Sequence, residues 1–223
     1  MSSSSSSVPT EFVADAFETT VSDDEQSRLI ETINDAVSNL RDQIEDDTLE
    51  KMLRADAGSY RLKSGMTRDG LQPESFTQQA VINPLLDALN LEYATEAGGL
   101  SGGQTQVADY TVSLRDSPEI DSTRLLIEAE PINKDLDSRK HGIGQVKDWL
   151  SQREFESDFG FATDGLRWVF VLYDPDSYTH NVIEEVDLQP VFLALFENQT
   201  GNRADPTEAV FDVDRERVTR LIR

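Results

Sequence analysis

The 223-residue sequence contains no cysteine, which excludes disulfides and thiolate metal sites. Histidine is almost as scarce: with only His141 and His180, a multi-histidine zinc centre is not to be expected, and any metal has to sit mainly on oxygen. Lysine occurs five times, as Lys51, Lys63, Lys134, Lys140 and Lys147, so positive charge is carried mainly by arginine. Long apolar runs are missing too. A stretch such as Trp168 to Tyr173 is far too short to span a bilayer, and the serine run Ser2 to Ser7 lacks the charged and apolar regions of a signal peptide. A soluble, cytoplasmic protein with no membrane partner is expected.

What the sequence has in excess is carboxylate. Asp and Glu number 43 against 20 Lys and Arg, a formal net charge of −23, with a pI near 4.3. Such carboxylate-rich, lysine-poor surfaces resemble those of extreme halophiles: hydrated carboxylates maintain solubility where concentrated salt already screens their repulsion. A high-salt cytoplasm is therefore expected, with loosening in dilute buffer. An acidic disordered protein would show the same charge, and so would a DNA mimic presenting carboxylates as false phosphates. The apolar content of 37% is enough for one core of ordinary size, and apolar periodicity argues against disorder.

Four regions are expected along the chain. Residues 1–22, opening MSSSSSSVPTEF, read as a flexible polar tail. Residues 23–72 comprise an acidic amphipathic helix and a linker. In the helix, Leu29, Ile30, Ile33, Val37, Leu40, Ile44, Leu49 and Leu53 recur at three- and four-residue steps from Asp23 to about Arg54, and the linker holds Gly58, Gly65 and Gly70. Residues 73–174 read as a mixed α/β unit. A helix over Ser75–Asn90 is kinked or broken at Pro84. Strands follow at Leu91–Ala94, Thr105–Leu114 and Arg124–Glu130, the last two joined by a hairpin loop Arg115–Thr123. A helix runs from Ile143 to about Arg153, and strands Phe159–Thr163 and Leu166–Tyr173 meet at a two-residue Asp164-Gly165 turn. Residues 175–223 are expected as a helical extension, with helices over Glu184–Phe196 and Thr207–Arg223. Trp149 and Trp168 read as core residues rather than stacking platforms for bases.

Asp109 lies in the second strand, in QVADYTV, and Glu128 and Glu130 lie in the third, in LLIEAEP. Residues two apart in a strand share a face, so the two glutamates project together. An antiparallel pairing of the two strands would bring Asp109 to them. Crowded carboxylates repel and at least one pKa rises; a hard divalent cation relieves the repulsion, and oxygen ligands suit magnesium. The competing view is that so acidic a sequence will often show carboxylates on the solvent face of paired strands.

A single Asp, about twenty residues, then Glu-X-Lys, set in the order helix, three strands, helix, strand, is the pattern of the PD-(D/E)XK nucleases, which Asp109 and Glu128-Ala129-Glu130 resemble. Glu130 stands where the family has lysine. Gln145-Val146-Lys147-Asp148-Trp149 resembles the Q-X-X-X-Y helix motif of the RecB-like group and of type I restriction motor subunits. Thr163-Asp164-Gly165-Leu166-Arg167-Trp168 resembles the T-N-G-X-X-W hairpin that follows in those proteins. The opening helix, Glu74-Ser75-Phe76-Thr77 followed by Val81-Ile82-Asn83-Pro84-Leu85-Leu86, is also similar, although Gln78 and Gln79 do not supply the acidic residue that some members carry there.

The resemblance covers about residues 73–174. It implies a restriction-endonuclease-like core with N- and C-terminal helices, and a magnesium-dependent DNA endonuclease module of a restriction-modification or related defence system, with Mn2+ as a substitute ion. Asp109, Glu128 and Glu130 would ligate the metal, Gln145 would belong to the site, and Lys134 or Lys147 would replace the missing lysine. Arg139, Lys140 and Arg153, with His141, form the markedly basic island that would contact DNA phosphates. Methylase, helicase or specificity subunits are the implied protein partners. The alternative is a nuclease-fold module that has lost catalysis and serves in DNA binding or assembly.

Overall fold

The computed structural model describes residues 23–98, 107–113, 124–152 and 157–202. The tail 1–22, the hairpin loop 115–123, Arg153 and the C-terminal helix expected over 207–223 lie outside the described residues.

Where the apolar spacing predicts one long amphipathic helix in the N-terminal region, there are two, α1 (Asp23–Gln43) and α2 (Asp46–Arg54). The spacing runs on through the break, which is why periodicity alone merges them. The break has a local cause in Glu45, extended at ψ 137°, followed by Asp46 and Asp47 in the first turn of α2 and by Lys51 and Arg54 in its last. That charge order favours a fresh helix start and end, and Arg41 spans the break with a two-pronged contact to Asp46, each N···O distance 3.0 Å.

The helix expected over 75–90 comprises α3 (Pro73–Thr77), a π turn (Gln78–Ile82) and α4 (Asn83–Ala88). Pro84 sits just after the π turn. Having no N–H, it interrupts the regular ladder, and the wider turn that closes with Asn83 N–H on Gln78 O takes up the extra residue. Asn90, at φ 54°, ends the segment: the N–H groups of Asn90 and Leu91 return to Asp87 O and Leu86 O, a Schellman ending with Asn in the left-handed position.

Six strands follow: β1 (Tyr93–Gly98), β2 (Val107–Ser113), β3 (Arg124–Ala129), β4 (Phe159–Thr163), β5 (Arg167–Asp174) and β6 (Thr179–Asp187). They lie in one mixed sheet in chain order. β3 and β4 are parallel, joined through α5 (Ile143–Gln152), and every other neighbouring pair is antiparallel. The helix expected over Glu184–Phe196 is displaced. Glu184–Asp187 ends β6, and helix α6 spans Gln189–Gln199 with Pro190 in its first turn. Thr179, Val182, Ile183 and Val186 give β6 its strand character, and Pro190 marks where a helix can start.

The sheet is covered on both faces. One face packs on α1, α2, the α3–α4 segment and α6 through Tyr110, Val112, Ile127, Ala129, Phe161 and Trp168. The other packs on α5 through Ala108, Leu126, Ala162, Val169 and Val171 against Val146, Trp149 and Leu150. Trp149 and Trp168 are both buried, as expected. This is a restriction-endonuclease-like α/β architecture: a helix, three antiparallel strands, a crossover helix and a parallel strand. No described helix is long and apolar enough to cross a membrane.

Candidate active site

β2 and β3 pair regularly from Ser113–Arg124 to Tyr110–Ile127 and then separate. Beyond that point β3 keeps pairing with β4 as far as Ala129–Thr163, and Glu130 N–H donates to Thr163 O. The two strands therefore fork. Asp109 occupies the fork, its Oδ2 accepting the Ala129 N–H at 2.7 Å where a backbone carbonyl of β2 would have stood had pairing continued.

Glu128 lies on β3 and Glu130 just past its end, buried to 6% and 3% exposure. Burial first, then the charge and hydrogen bond of Asp109 and the charges of Glu130 and Glu74, push the Glu128 carboxyl up to about 10. Glu128 thus holds a proton at neutral pH and shares it with Asp109. Glu130 differs, being engaged at both oxygens. Its Oε1 accepts the Gly142 N–H at 3.0 Å and lies 3.7 Å from His141 Nδ1; its Oε2 lies 3.4 Å from Lys134 Nζ. Gly142 makes this possible, since its φ of 56° suits glycine and a Cβ there would stand 2.7 Å from Leu136 O. Lys134, four residues past Glu130, folds back onto the Glu130 carboxylate, as its spacing allowed.

One carboxylate at the site went unassigned in the sequence. Glu74, in the first turn of α3, has its carboxyl raised by partial burial, then by Asp109 and Glu130, with Lys134 opposing. Glu74, one turn before Gln78, thus brings a further carboxylate near Asp109 and Glu130, and its signal in the sequence was its place at the head of the Glu74-Ser75-Phe76-Thr77 segment. Thr77 ties this helix to the strand end: its Oγ1 donates to Pro73 O and accepts the Ile132 N–H at 3.0 Å.

The remaining assigned residues spread out. Gln145 lies half-buried in the first turns of α5. Lys147 is further along α5 beside His180, whose pKa is lowered by burial and then by the Lys147 charge. His180 pairs with Tyr173, past the β4 start and at the opposite end of the sheet from Thr163. Arg139 and Lys140 are exposed on the loop between Lys134 and α5, and from the same loop Lys134 and His141 approach the two oxygens of Glu130.

The donor set is oxygen only, crowded, partly buried and mutually repelling, which is the chemistry that a hard divalent cation relieves. Among the described residues, no three acidic or histidine side chains are gathered in ligating geometry as they stand. The Asp109–Glu128 pair instead holds a proton, and Glu130 holds Lys134.

The Thr163-Asp164-Gly165 turn is a structural piece beside the site. Its connection is three residues, Asp164 to Leu166, rather than two. Asp164 Oδ1 accepts the N–H groups of Leu166 and Arg167, at 3.0 and 2.7 Å, and Thr163 Oγ1 accepts that of Gly165. Burial raises the Asp164 carboxyl to about 6 against the pull of those N–H groups and of the Arg167 charge. Arg167 Nη2 reaches out to donate to Lys134 O at 2.8 Å.

The mixed six-stranded sheet with helices on both faces makes a restriction-endonuclease-like α/β fold. In agreement, the chain is 37% identical over 143 residues, 64% of its length, to a protein of Methanocaldococcus jannaschii provisionally named a type II restriction enzyme and methyltransferase. It spans 12% of that protein's length. No family model matches the chain, and no solved structure matches it.

Proposed function

We propose that the chain carries a magnesium-dependent DNA endonuclease module of the PD-(D/E)XK type, acting in a restriction-modification or related defence system. The observation that carries this reading is the fork between β2 and β3, where Asp109 and Glu128 meet, with Lys134 held at the neighbouring Glu130. Asp109 and Glu128 would hold the ion, with Glu74 near enough to assist. Magnesium bound there would supply Lewis acidity toward a phosphoryl oxygen, and Mn2+ would substitute.

The residues of the chain divide the remaining work. Lys134 neutralises charge developing on the phosphoryl group as water adds and an ester oxygen leaves. Glu130, with both oxygens engaged, anchors Lys134 rather than ligating metal. Arg139, Lys140 and His141 on the same loop contact flanking phosphates, in a protein whose remaining surface repels DNA. Since concentrated salt weakens phosphate binding steeply, methylase, helicase or specificity partners would supply the rest of the affinity. The similarity to a combined restriction enzyme and methyltransferase supports a role next to DNA methylation.

The test is calorimetric titration of Mn2+ into the full chain in molar KCl, followed by plasmid cleavage with Mg2+, comparing wild type with Asp109→Asn. A saturable site and nicking activity, both lost in the variant, are expected. Indistinguishable weak metal binding in the two, with DNA binding retained, would leave the second reading, a nuclease-fold module that binds DNA or assembles without cutting. The presence of Glu130 in the lysine position favours that reading.

A further inference from the structure

The cation of the site rests on a part of the chain that the nuclease resemblance does not cover. Asn133, next to Lys134, is 1% exposed and sits at φ 57°, a left-handed conformation that asparagine tolerates better than most residues. Its Nδ2 lies 3.1 Å from Met52 O, 3.1 Å from Tyr60 O, 3.3 Å from Ala55 O and 3.5 Å from Asp56 O. An amide has two N–H groups, so the two shortest contacts, to the end of α2 and to the following loop, take the bonds. The backbone adds two more links, Gly58 N–H to Asn133 O and Leu62 N–H to Ile132 O, both 3.0 Å. On the far side Arg167 holds the Lys134 carbonyl, and Glu130 receives the ammonium.

We propose that Asn133 is a positioning residue, locking the turn that carries Lys134 onto the segment Met52–Tyr60 so that the ammonium stays at the carboxylates. The inference rests on the reading of Lys134 as the cation of the site. A lysine at position 130 would be held by β3 itself. Four residues further on, beyond the strand, Lys134 needs a separate anchor, and the buried amide of Asn133 provides it.

Having only five lysines makes the test direct. The full chain in molar KCl is pulse-labelled with an amine-reactive ester, and each lysine is followed by peptide mass spectrometry. In wild type Lys134 is expected to react about tenfold more slowly than the exposed Lys63 and Lys140, as a residue released only by local opening. Asn133→Gly keeps the left-handed backbone and removes the amide; Lys134 labelling should then rise at least about fivefold while Lys51 and Lys147 stay within about twofold. Unchanged Lys134 labelling overturns the proposal.

If Lys134 and the half-buried Lys147 both rise to the rate of the exposed Lys63, the variant has unfolded, and wild-type hydrogen exchange decides. The Gly58 and Leu62 amides must then exchange as slowly as that of Glu130; fast exchange overturns the clamp. On plasmid DNA, Asn133→Gly should lower kcat with KM and Mn2+ affinity unchanged, a split that a purely structural asparagine would not give. Slow Lys134 labelling released by Asn133→Gly, in a chain whose wild type cleaves nothing, would sink the endonuclease reading and leave the clamp standing.

Discussion

Asp109 has two jobs at the fork, and substitution separates them. Asp109→Asn keeps an oxygen for the Ala129 N–H and loses the charge, so metal binding should disappear with little change in stability. Asp109→Ala also orphans that N–H and should cost about 1–3 kcal/mol in denaturant unfolding. Glu128 gives a pH signature. Its folded pKa, about 10, lies above the ordinary carboxylate value, so the folded state holds the proton more tightly, and stability falls as pH rises from about 4.5 toward 10. Glu128→Gln should flatten that slope and raise the melting temperature at pH 8. Displacing the shared proton makes Mn2+ binding release protons, so the observed heat should depend on the ionisation enthalpy of the buffer and affinity should rise with pH; a buffer-independent heat would contradict the protonated pair. Asp109 and Glu128 were legible in the sequence because strand spacing and motif agree on them. Glu74 was not: its approach to Asp109 depends on how α3 docks against the fork, and no spacing along the chain encodes that.

At the scale of elements, the Thr163–Trp168 hairpin was legible as a turn, while its use was not. Gly165, at φ 82°, presses on the π turn, and a Cβ there would stand 3.0 Å from Val81 Cγ1. Gly165→Ala should therefore cost about 1–3 kcal/mol. Asp164→Asn should act in the opposite sense. The amide oxygen can accept the same two N–H groups, and the raised pKa means that ionisation costs stability as pH rises from about 4 through 6. Chemical denaturation should show wild-type stability falling as pH rises from about 4 through 6, a slope that Asp164→Asn should lack. The strands β2 to β5 were readable because their apolar runs are short and bounded by turn residues. β6 was not, since as an edge strand it is mostly exposed, and Glu184 and Glu185 in VIEEV satisfy a helical pattern as well as a strand. The α1–α2 break was hidden for the converse reason: both helices bury their apolar stripe in the same core, so the stripe continues while the backbone does not.

For the whole molecule the governing quantity is the net charge of −23. Repulsion among surface carboxylates falls as the Debye length shrinks from about 10 Å at 0.1 M salt to about 3 Å at 1 M. Thermal unfolding should therefore rise on the order of 10 °C from dilute buffer to molar KCl; a melting point insensitive to KCl would remove the case for adaptation to a salt-rich cytoplasm. The two faces of the sheet will not respond alike. Among the described residues, the face under α1, α2, α3–α4 and α6 shares in the larger apolar cluster, and the face under α5 alone in the smaller. That thinner layer is joined to the loop bearing Lys134, Arg139 and Lys140. Dilution of salt should consequently loosen α5 first, while Asn133, tied to Met52 O and Tyr60 O, keeps the Lys134 turn on the helical layer, so that the Val146 and Leu150 amides exchange freely at a salt concentration where circular dichroism still reports a folded protein.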